Sequence, residues 1–409
     1  MTAITVDAAV KPRRSFQEVW VISLGHALTH WYPATFYLLL PLIGKELGLS
    51  YGEIGSVLSC QYLAGAIVNI PGGIFVDTVG RKGLLMAASL FWIGFPYLIM
   101  GFSHSYWMIL ACATLVGIGN NLWHPSAIPW LANRFPQRKG LVMSIHGMGG
   151  NVGDAVAPLV VGALLAVLNW RNVVVINVLP GVLLATFTLI YLGRKTSDDD
   201  TGIDDGDSGI SGLERLRMFG ALLKNRALIT LAAGSAFRTM TQGALLTFQP
   251  IYLGREMGYP TQWIGACMFA LQAGGFIAAP IAGHLSDRIG RRQIIVSSMA
   301  MSAVVIFLML FAGGTGWFVM FVSVLGFFLF AVRAVLQAWL LDATPPAMGG
   351  SAIGLLFASQ AFGQAVGPVS AGIVADHYGL MGAFYFLATT IVIANLLVFV
   401  TPAGLMKRD

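Results

Sequence analysis

The chain has 409 residues, of which 56% are hydrophobic and only 10% charged, and its mean hydropathy is +0.76. A water-soluble protein of this length carries about one charged residue in four, so composition excludes an ordinary soluble fold and points to a surface that faces lipid. The formal charge of +6 would suit a nucleic-acid binder if it formed one patch, but it is spread along the chain in a way that serves another purpose.

Residues 1–16 lack the short apolar core and small-residue cleavage site of a secretory signal, so the first apolar segment is expected to be retained. Crossing a bilayer takes about 20 helical residues. Segments of that kind are expected at 17–43, 51–76, 83–103, 106–133, 139–167 and 171–193. After a polar stretch they resume at 226–254, 260–286, 292–313, 315–341, 348–376 and 379–402. The expected organisation is a six-helix half over 1–193, a cytoplasmic linker over 194–225 and a second half over 226–409. The linker begins Arg194-Lys195, carries six Asp between 198 and 207 and continues Glu214-Arg-Leu-Arg217. That is the composition of a flexible segment, with a short surface helix expected near 212–222.

On this scheme nineteen of the 24 Lys and Arg fall on one side of the membrane. Lys45, Arg171 and Arg255 fall on the other, and Arg238 and Arg333 lie inside spans. Positive residues mark the cytoplasmic side, so both termini are expected in the cytoplasm of a multi-pass inner-membrane protein. The basic excess therefore orients the chain, and nucleic acid is not expected as a partner. Cys60, Cys112 and Cys267 sit far apart in apolar spans, which gives neither a disulfide framework nor a metal-type spacing. No phosphate loop or nucleophile motif stands in a suitable context. An enzyme, a cofactor and a metal are accordingly not expected, and the chain is expected to act as a monomer.

The sequence repeats itself. Gly73-Ile-Phe-Val-Asp77-Thr-Val-Gly80-Arg81-Lys82 returns as Gly283-His-Leu-Ser-Asp287-Arg-Ile-Gly290-Arg291-Arg292, and each copy lies between two apolar spans. The offset of 210 also maps Ile54-Gly55 onto Ile264-Gly265, Gly65 onto Gly275, Gly153 onto Gly363, Pro158 onto Pro368 and Gly162 onto Gly372. One register shared by several helices indicates two duplicated six-helix halves, a parallel repeat. Asp77 with Arg81 and Asp287 with Arg291 are expected to clamp helix ends and to serve conformational switching, not binding.

Polar groups inside a membrane are costly and face a cavity or a partner. Spans 3, 6, 9 and 12 hold almost none, Asn177 and Asn395 being the main amides. Spans 1, 4, 7 and 10 hold His26, His30, Asn120, Asn121, His124, Arg238, Gln242, Gln249, Arg333 and Gln337. His26, His30 and Tyr37 share one helical face, Arg238, Gln242 and Gln249 another, and Arg333 and Gln337 a third. An arginine keeps its charge at any reachable pH. Arg238 and Arg333 therefore call for an anion, either a carboxylate or phosphonate substrate held by bidentate bonds or a structural acid. The structural alternatives are Asp342 for Arg333 and Asp154 for Arg238. Asp154, the one carboxylate well inside a span, is a proton carrier or half of a static ion pair. His30 and His124 are the histidines expected to share a proton role, the alternative being hydrogen bonding between helices. Trp31, Tyr37, Asn121, Trp123, Gln242 and Gln337 are expected to add shape and hydrogen-bond contacts.

Turns of the form Gly-x3-Asp-x2-Gly-Arg-Lys/Arg resemble the loop 2–3 and loop 8–9 signature of the major facilitator superfamily. The resemblance implies an all-α membrane fold of twelve helices in two pseudo-symmetric halves, with spans 1, 4, 7 and 10 lining a central cavity. In span 5, Gly149-Gly150-Asn-Val-Gly153-Asp-Ala-Val-Ala157-Pro158-Leu-Val-Val-Gly162 resembles the antiporter motif of drug exporters, and Gly363-Gln-Ala-Val-Gly367-Pro368-Val-Ser-Ala-Gly372 repeats it in span 11. Gly117-Ile-Gly-Asn120-Asn-Leu-Trp-His124-Pro125-Ser126, Gly149-Gly150-Asn151-Val-Gly153 and Gly25-His26-Ala-Leu-Thr-His30 are similar to stretches of fosmidomycin-resistance-type exporters. Asp154 and His30 depart from that group's pattern, which leaves its proton site and its substrate open here. The expected function is proton-coupled efflux of a small organic anion by alternating access. The alternatives are an uptake symporter or anion exchanger on the same scaffold, and a non-transporting membrane sensor that uses the linker.

Overall fold

The computed structural model describes residues 16–193, 224–344 and 349–402, except the side chains of Ile70, Asp77 and residues 349–351. Most of the expected 194–225 linker, including its 212–222 helix, lies outside the described residues. The described chain is helical, with no strand: α1 Gln17–Leu47, α2 Tyr51–Val79, α3 Lys82–Gly101, α4 Tyr106–Arg134, α5 Lys139–Leu165 and α6 Trp170–Leu192, then α7 Arg226–Arg255, α8 Thr261–Ile289, α9 Arg291–Phe311, α10 Gly316–Asp342, α11 Gly349–Tyr378 and α12 Leu380–Phe399. A single 3-10 turn, Pro136–Arg138, precedes α5.

Local chemistry sets the helix ends. Ser50 and Glu53 form a reciprocal capping box at the start of α2, satisfying donors that a helix N-terminus leaves free. The side-chain oxygens of Asn169 and Asn225 accept from the first free N–H groups of α6 and α7, without a reciprocal bond. Helices α1 and α2 stop at Gly48 and Gly80, with φ of +66° and +68°. A residue with a Cβ would pay roughly 1–2 kcal/mol for that left-handed backbone.

Eight helices are long and apolar enough to cross a membrane: α3, α5, α6 and α8 to α12. The other four, α1, α2, α4 and α7, are 29 to 31 residues long and carry more polar side chains. Three of them, α1, α4 and α7, are the helices whose polar stripes mark a cavity lining. Their shortfall in hydropathy agrees with that lining, because a side chain facing a water-filled cavity need not be apolar.

The two halves repeat one packing scheme. In the first, α1 packs on α5, α2 on α4 and α3 on α6; in the second, α7 packs on α11, α8 on α10 and α9 on α12. Close crossings use glycine. A Cβ on Gly149 or Gly153 would lie 2.2 or 2.1 Å from the carbonyl oxygens of Ser23 and Ala27 in α1. On Gly363 or Gly367 it would lie 2.1 or 2.6 Å from those of Ala236 and Met240 in α7. Small residues let backbones approach this closely in lipid, where no hydrophobic force draws helices together.

The halves meet along two seams, α2 with α11 and α5 with α8, at the end that carries the α1–α2, α5–α6, α7–α8 and α11–α12 turns. Gly55 lies against the Pro368 carbonyl and Gly265 against the Pro158 carbonyl, each leaving only 2.3 Å for an added Cβ. Gly372 rests on Tyr51 and Gly162 on Thr261, with 2.3 and 2.6 Å left for a Cβ. These are one set of contacts exchanged under the 210-residue offset. Toward the opposite end of the same four helices, Gly73, Gly140, Gly147, Gly283 and Gly354 would meet nothing within 4 Å. The bundle is sealed at one end and spread at the other, with the polar stripes of α1, α4, α7 and α10 between.

Candidate functional site

The N-terminal wall of the cavity is built on histidine. Four of the chain's seven histidines gather where α1, α4 and α5 meet. The His26 ring lies 4.7 Å from His30, 4.9 Å from His124 and 4.0 Å from His146, stacked on the last at 12°. His26 Nδ1 is 2.6 Å from the His146 carbonyl oxygen. Since a carbonyl only accepts, Nδ1–H donates and Nε2 is left as a lone pair. His30 Nδ1 is 2.9 Å from Asp154 Oδ2, the two side chains being 27% and 29% exposed. Gly150 makes room for both rings, since a Cβ there would lie 2.8 Å from His26 Cε1 and 3.0 Å from His30 Nε2. One nitrogen from each of His26, His30 and His124 falls within 4.8 Å of the others.

The three residues expected to handle protons thus stand together: Asp154 pairs with His30, and His124 is 6.5 Å from His30 ring to ring. His146 is the member that sequence reading missed. Its signal was the step of four to Gly150 and of eight to Asp154 on the inner face of α5. Tyr37 is buried, its hydroxyl bonded to that of Tyr62 in α2, and Asp154 lies within electrostatic range of both.

The C-terminal wall is cationic. Arg238 is 1% exposed, and its Nη1 donates to Gln242 Oε1 at 3.1 Å and to the Leu329 carbonyl of α10 at 3.2 Å. Its Nε has no hydrogen-bond partner among the described residues. Arg333, one turn beyond Leu329, is exposed and lies within electrostatic range of Arg238 and, across the cavity, of His124. Gln337 follows on the next turn, half-buried. Neither structural alternative for the arginines is found. Asp154 belongs to His30, and Asp342 pairs with Arg291 at 3.2 Å. Among the described residues no carboxylate within ion-pair distance accompanies Arg238 or Arg333. A charge at mid-bilayer costs about 2.5–3.5 kcal/mol even on the mildest scale, so two such cations without an acid leave a place for an anion.

Other expected site residues point elsewhere. Trp123 has no exposure and packs against Gly25, where a Cβ would lie 2.1 Å from its ring; it wedges α4 on α1 directly behind His124. The Asn121 amide donates to the Gly117 carbonyl and occupies the space beside Gly65 on α2. Trp31 donates to Asn177 of α6 at 2.7 Å. All three hold the wall from behind. In the second repeated turn, Arg291 joins Asp287, Ser286 and Asp342, tying the ends of α8 and α10. In the first, Arg81 follows Gly80 between α2 and α3, and the side chain of Asp77 lies outside the described residues. Pro158, Gly162, Pro368 and Gly372 form the seams described above, while Gly153, Gly363 and Gly367 form the crossings within each half.

The family model described as Major Facilitator Superfamily matches residues 22–277 and again 231–408. Among curated proteins, the chain is 25% identical over 375 residues to the fosmidomycin resistance protein of Escherichia coli, covering 90% of this chain and 89% of that one. It is 22% identical over 423 residues to a phosphoglycerate transporter protein of Salmonella typhimurium, covering 97% and 91%. Among solved structures, a bacterial homologue of the human lysosomal transporter Spinster, inward-facing and unoccupied, superposes with a TM-score of 0.80 at 17% identity, covering 97% of each chain. A nucleoside transporter superposes equally well, at 0.80, with 15% identity over 94% of this chain and 99% of that one.

Proposed function

The chain belongs to the major facilitator superfamily and is a membrane transporter, not an enzyme; on that premise we propose that it moves a small organic anion out of the cytoplasm by alternating access, in exchange for protons. The observation that carries this reading is that Arg238 on α7 and Arg333 on α10, within electrostatic range of each other, have no carboxylate within ion-pair distance among the described residues. A carboxylate, phosphonate or phosphate group fits two guanidinium forks through charge-assisted bonds.

The distribution of Lys and Arg makes the spread end cytoplasmic, with both termini in the cytoplasm of a cell whose inner membrane holds the protein. The geometry then corresponds to a cavity open to the cytoplasm, ready to load. Exchange against protons is supported by the glycine and proline pattern of α5, and by the grouping of Asp154, His30 and His124 on one wall. The names of the fosmidomycin and phosphoglycerate relatives suit an anion bearing phosphorus or carboxylate.

The test is transport in proteoliposomes under an imposed pH gradient, with a panel of phosphonates, carboxylates and cationic drugs. Anions are expected to move against the proton flux, and Arg238→Gln to stop them. Transport of cationic drugs that survives Arg238→Gln would overturn the anion reading. Movement of anions together with protons would instead mark an uptake symporter, and gradient-independent exchange an anion exchanger.

A further inference from the structure

The histidine wall is more than a set of polar side chains, because two of its rings are prepared in the same way. His26 gives its Nδ1 proton to the His146 carbonyl and His30 gives its own to Asp154. Each is thereby fixed in the tautomer whose Nε2 is a lone pair. That is how metal-binding histidines are held: the far nitrogen donates to a backbone carbonyl or a carboxylate, which fixes the ring's orientation and raises its basicity. His26 is 7% exposed, and its Nε2 has no partner among the described residues. A buried lone pair without a donor is an unmet demand. One nitrogen of each of His26, His30 and His124 lies within 4.8 Å of the others.

We propose that His26, His30 and His124 bind one divalent transition-metal ion of the zinc, nickel and copper class in the N-terminal wall of the cavity. Three neutral imidazoles suit these ions rather than magnesium or calcium, which take oxygen ligands. Three protein ligands also leave a fourth tetrahedral position for water or an anionic oxygen. Bonds of about 2.0–2.1 Å in that geometry hold the nitrogens roughly 3.4 Å apart. Binding therefore closes the present set by roughly 1.4 Å, a distance within reach of imidazole rotation over the bare backbone of Gly150. His146 is the supporting residue: its carbonyl orients His26 and its ring stacks behind it. The proposal rests on ring positions and holds whichever ion drives transport.

Spacing along the sequence could not reveal this site. The ligands come from α1 and α4, 94 positions apart for His30 and His124, and the supports come from α5.

The test uses the purified, metal-free full chain without a histidine tag, titrated with Co²⁺ and followed by visible ligand-field absorption. One ion per chain is expected, with tetrahedral bands that Zn²⁺ displaces. His26→Gln and His124→Gln should each weaken binding at least about tenfold. Asp154→Asn, which removes only the outer carboxylate, should weaken it about 10- to 100-fold. His284→Gln, an exposed histidine far from the set, should change nothing. If buried His26→Gln fails to fold, His124→Gln, on a half-buried ring, decides alone. Absence of ligand-field bands, or unchanged affinity in His124→Gln, would overturn the proposal. So would loss of binding in His284→Gln.

Discussion

Asp376, in the last turns of α11, accepts hydrogen bonds from the backbone N–H groups of Tyr51 at 2.7 Å and Gly52 at 2.8 Å. A carboxylate from one half thus caps the N-terminus of a helix in the other, where the helix dipole adds to the attraction. The bond exists only while the sealed end is sealed. Asp376→Asn removes the charge and is expected to cost that state about 0.5–2 kcal/mol. Spin labels on exposed Val167 and Tyr378 should then report a larger fraction of widely separated distances, and an unchanged distribution would show that the cap bears no part of the seal.

Glycine at the seams gives a second prediction. Gly55→Ala and Gly265→Ala each push a methyl onto a backbone carbonyl, at a cost of about 1–3 kcal/mol. The two changes should open the sealed end to a similar extent in the same distance measurement. Gly73→Ala and Gly283→Ala, which enter open space, should leave it as it was.

Arg333 supplies a third. Its exposure means that a substitution leaves packing intact, so transport reads the charge alone. Arg333→Gln should lower the specificity of transport for anions about 10- to 100-fold, the worth of one charge-assisted bond of roughly 1.5–3 kcal/mol. Arg333→Lys should restore only part, because an ammonium lacks the planar fork. Equal rates in wild type and Arg333→Gln would remove Arg333 from the site.

A fourth concerns pH and lies outside the membrane. Glu46 accepts a hydrogen bond from the Trp170 indole, and Arg171 pairs with it at 2.6 Å, tying the end of α1 to the start of α6. The Trp170 bond first, and Arg171 second, hold the Glu46 carboxyl below its ordinary range. A carboxyl depressed on folding stabilises the protein above its unfolded pKa, and that contribution is lost as pH falls through the folded value. Glu46→Gln should therefore lower the thermal midpoint at neutral pH, and the gap to wild type should close in acid. A gap that widened in acid would reverse the sign of the assignment.

The helix count and the duplication were legible in the sequence, since period and spacing are local or repeat-level signals. Pairing was not. That Asp342 serves Arg291 and Asp154 serves His30 depends on how helices far apart in sequence are rotated against one another. The same holds for Trp123, expected from its place on span 4 to be a cavity contact. Gly25 lets its ring sink between α1 and α4, so it supports His124 from behind. His146 shared the α5 step of four with Gly150 and Asp154, but its carbonyl bond to His26 and the stacking of their rings depend on how α1 and α5 cross.

The two seams share their glycine and proline contacts but differ in their polar ones. The α2–α11 seam has the Asp376 cap and a bond from the Val369 amide to Ser59. Under the 210-residue offset these positions correspond to Ala166 and Phe269 on the α5–α8 side, which can offer neither. Among the described residues the α5–α8 edge keeps one bond, from the Thr261 hydroxyl to the Gly162 carbonyl at 3.3 Å, against three on the α2–α11 edge. An unequal number of bonds across the two edges makes the closure lopsided: prising the halves apart breaks three hydrogen bonds along α2 and α11 and one along α5 and α8.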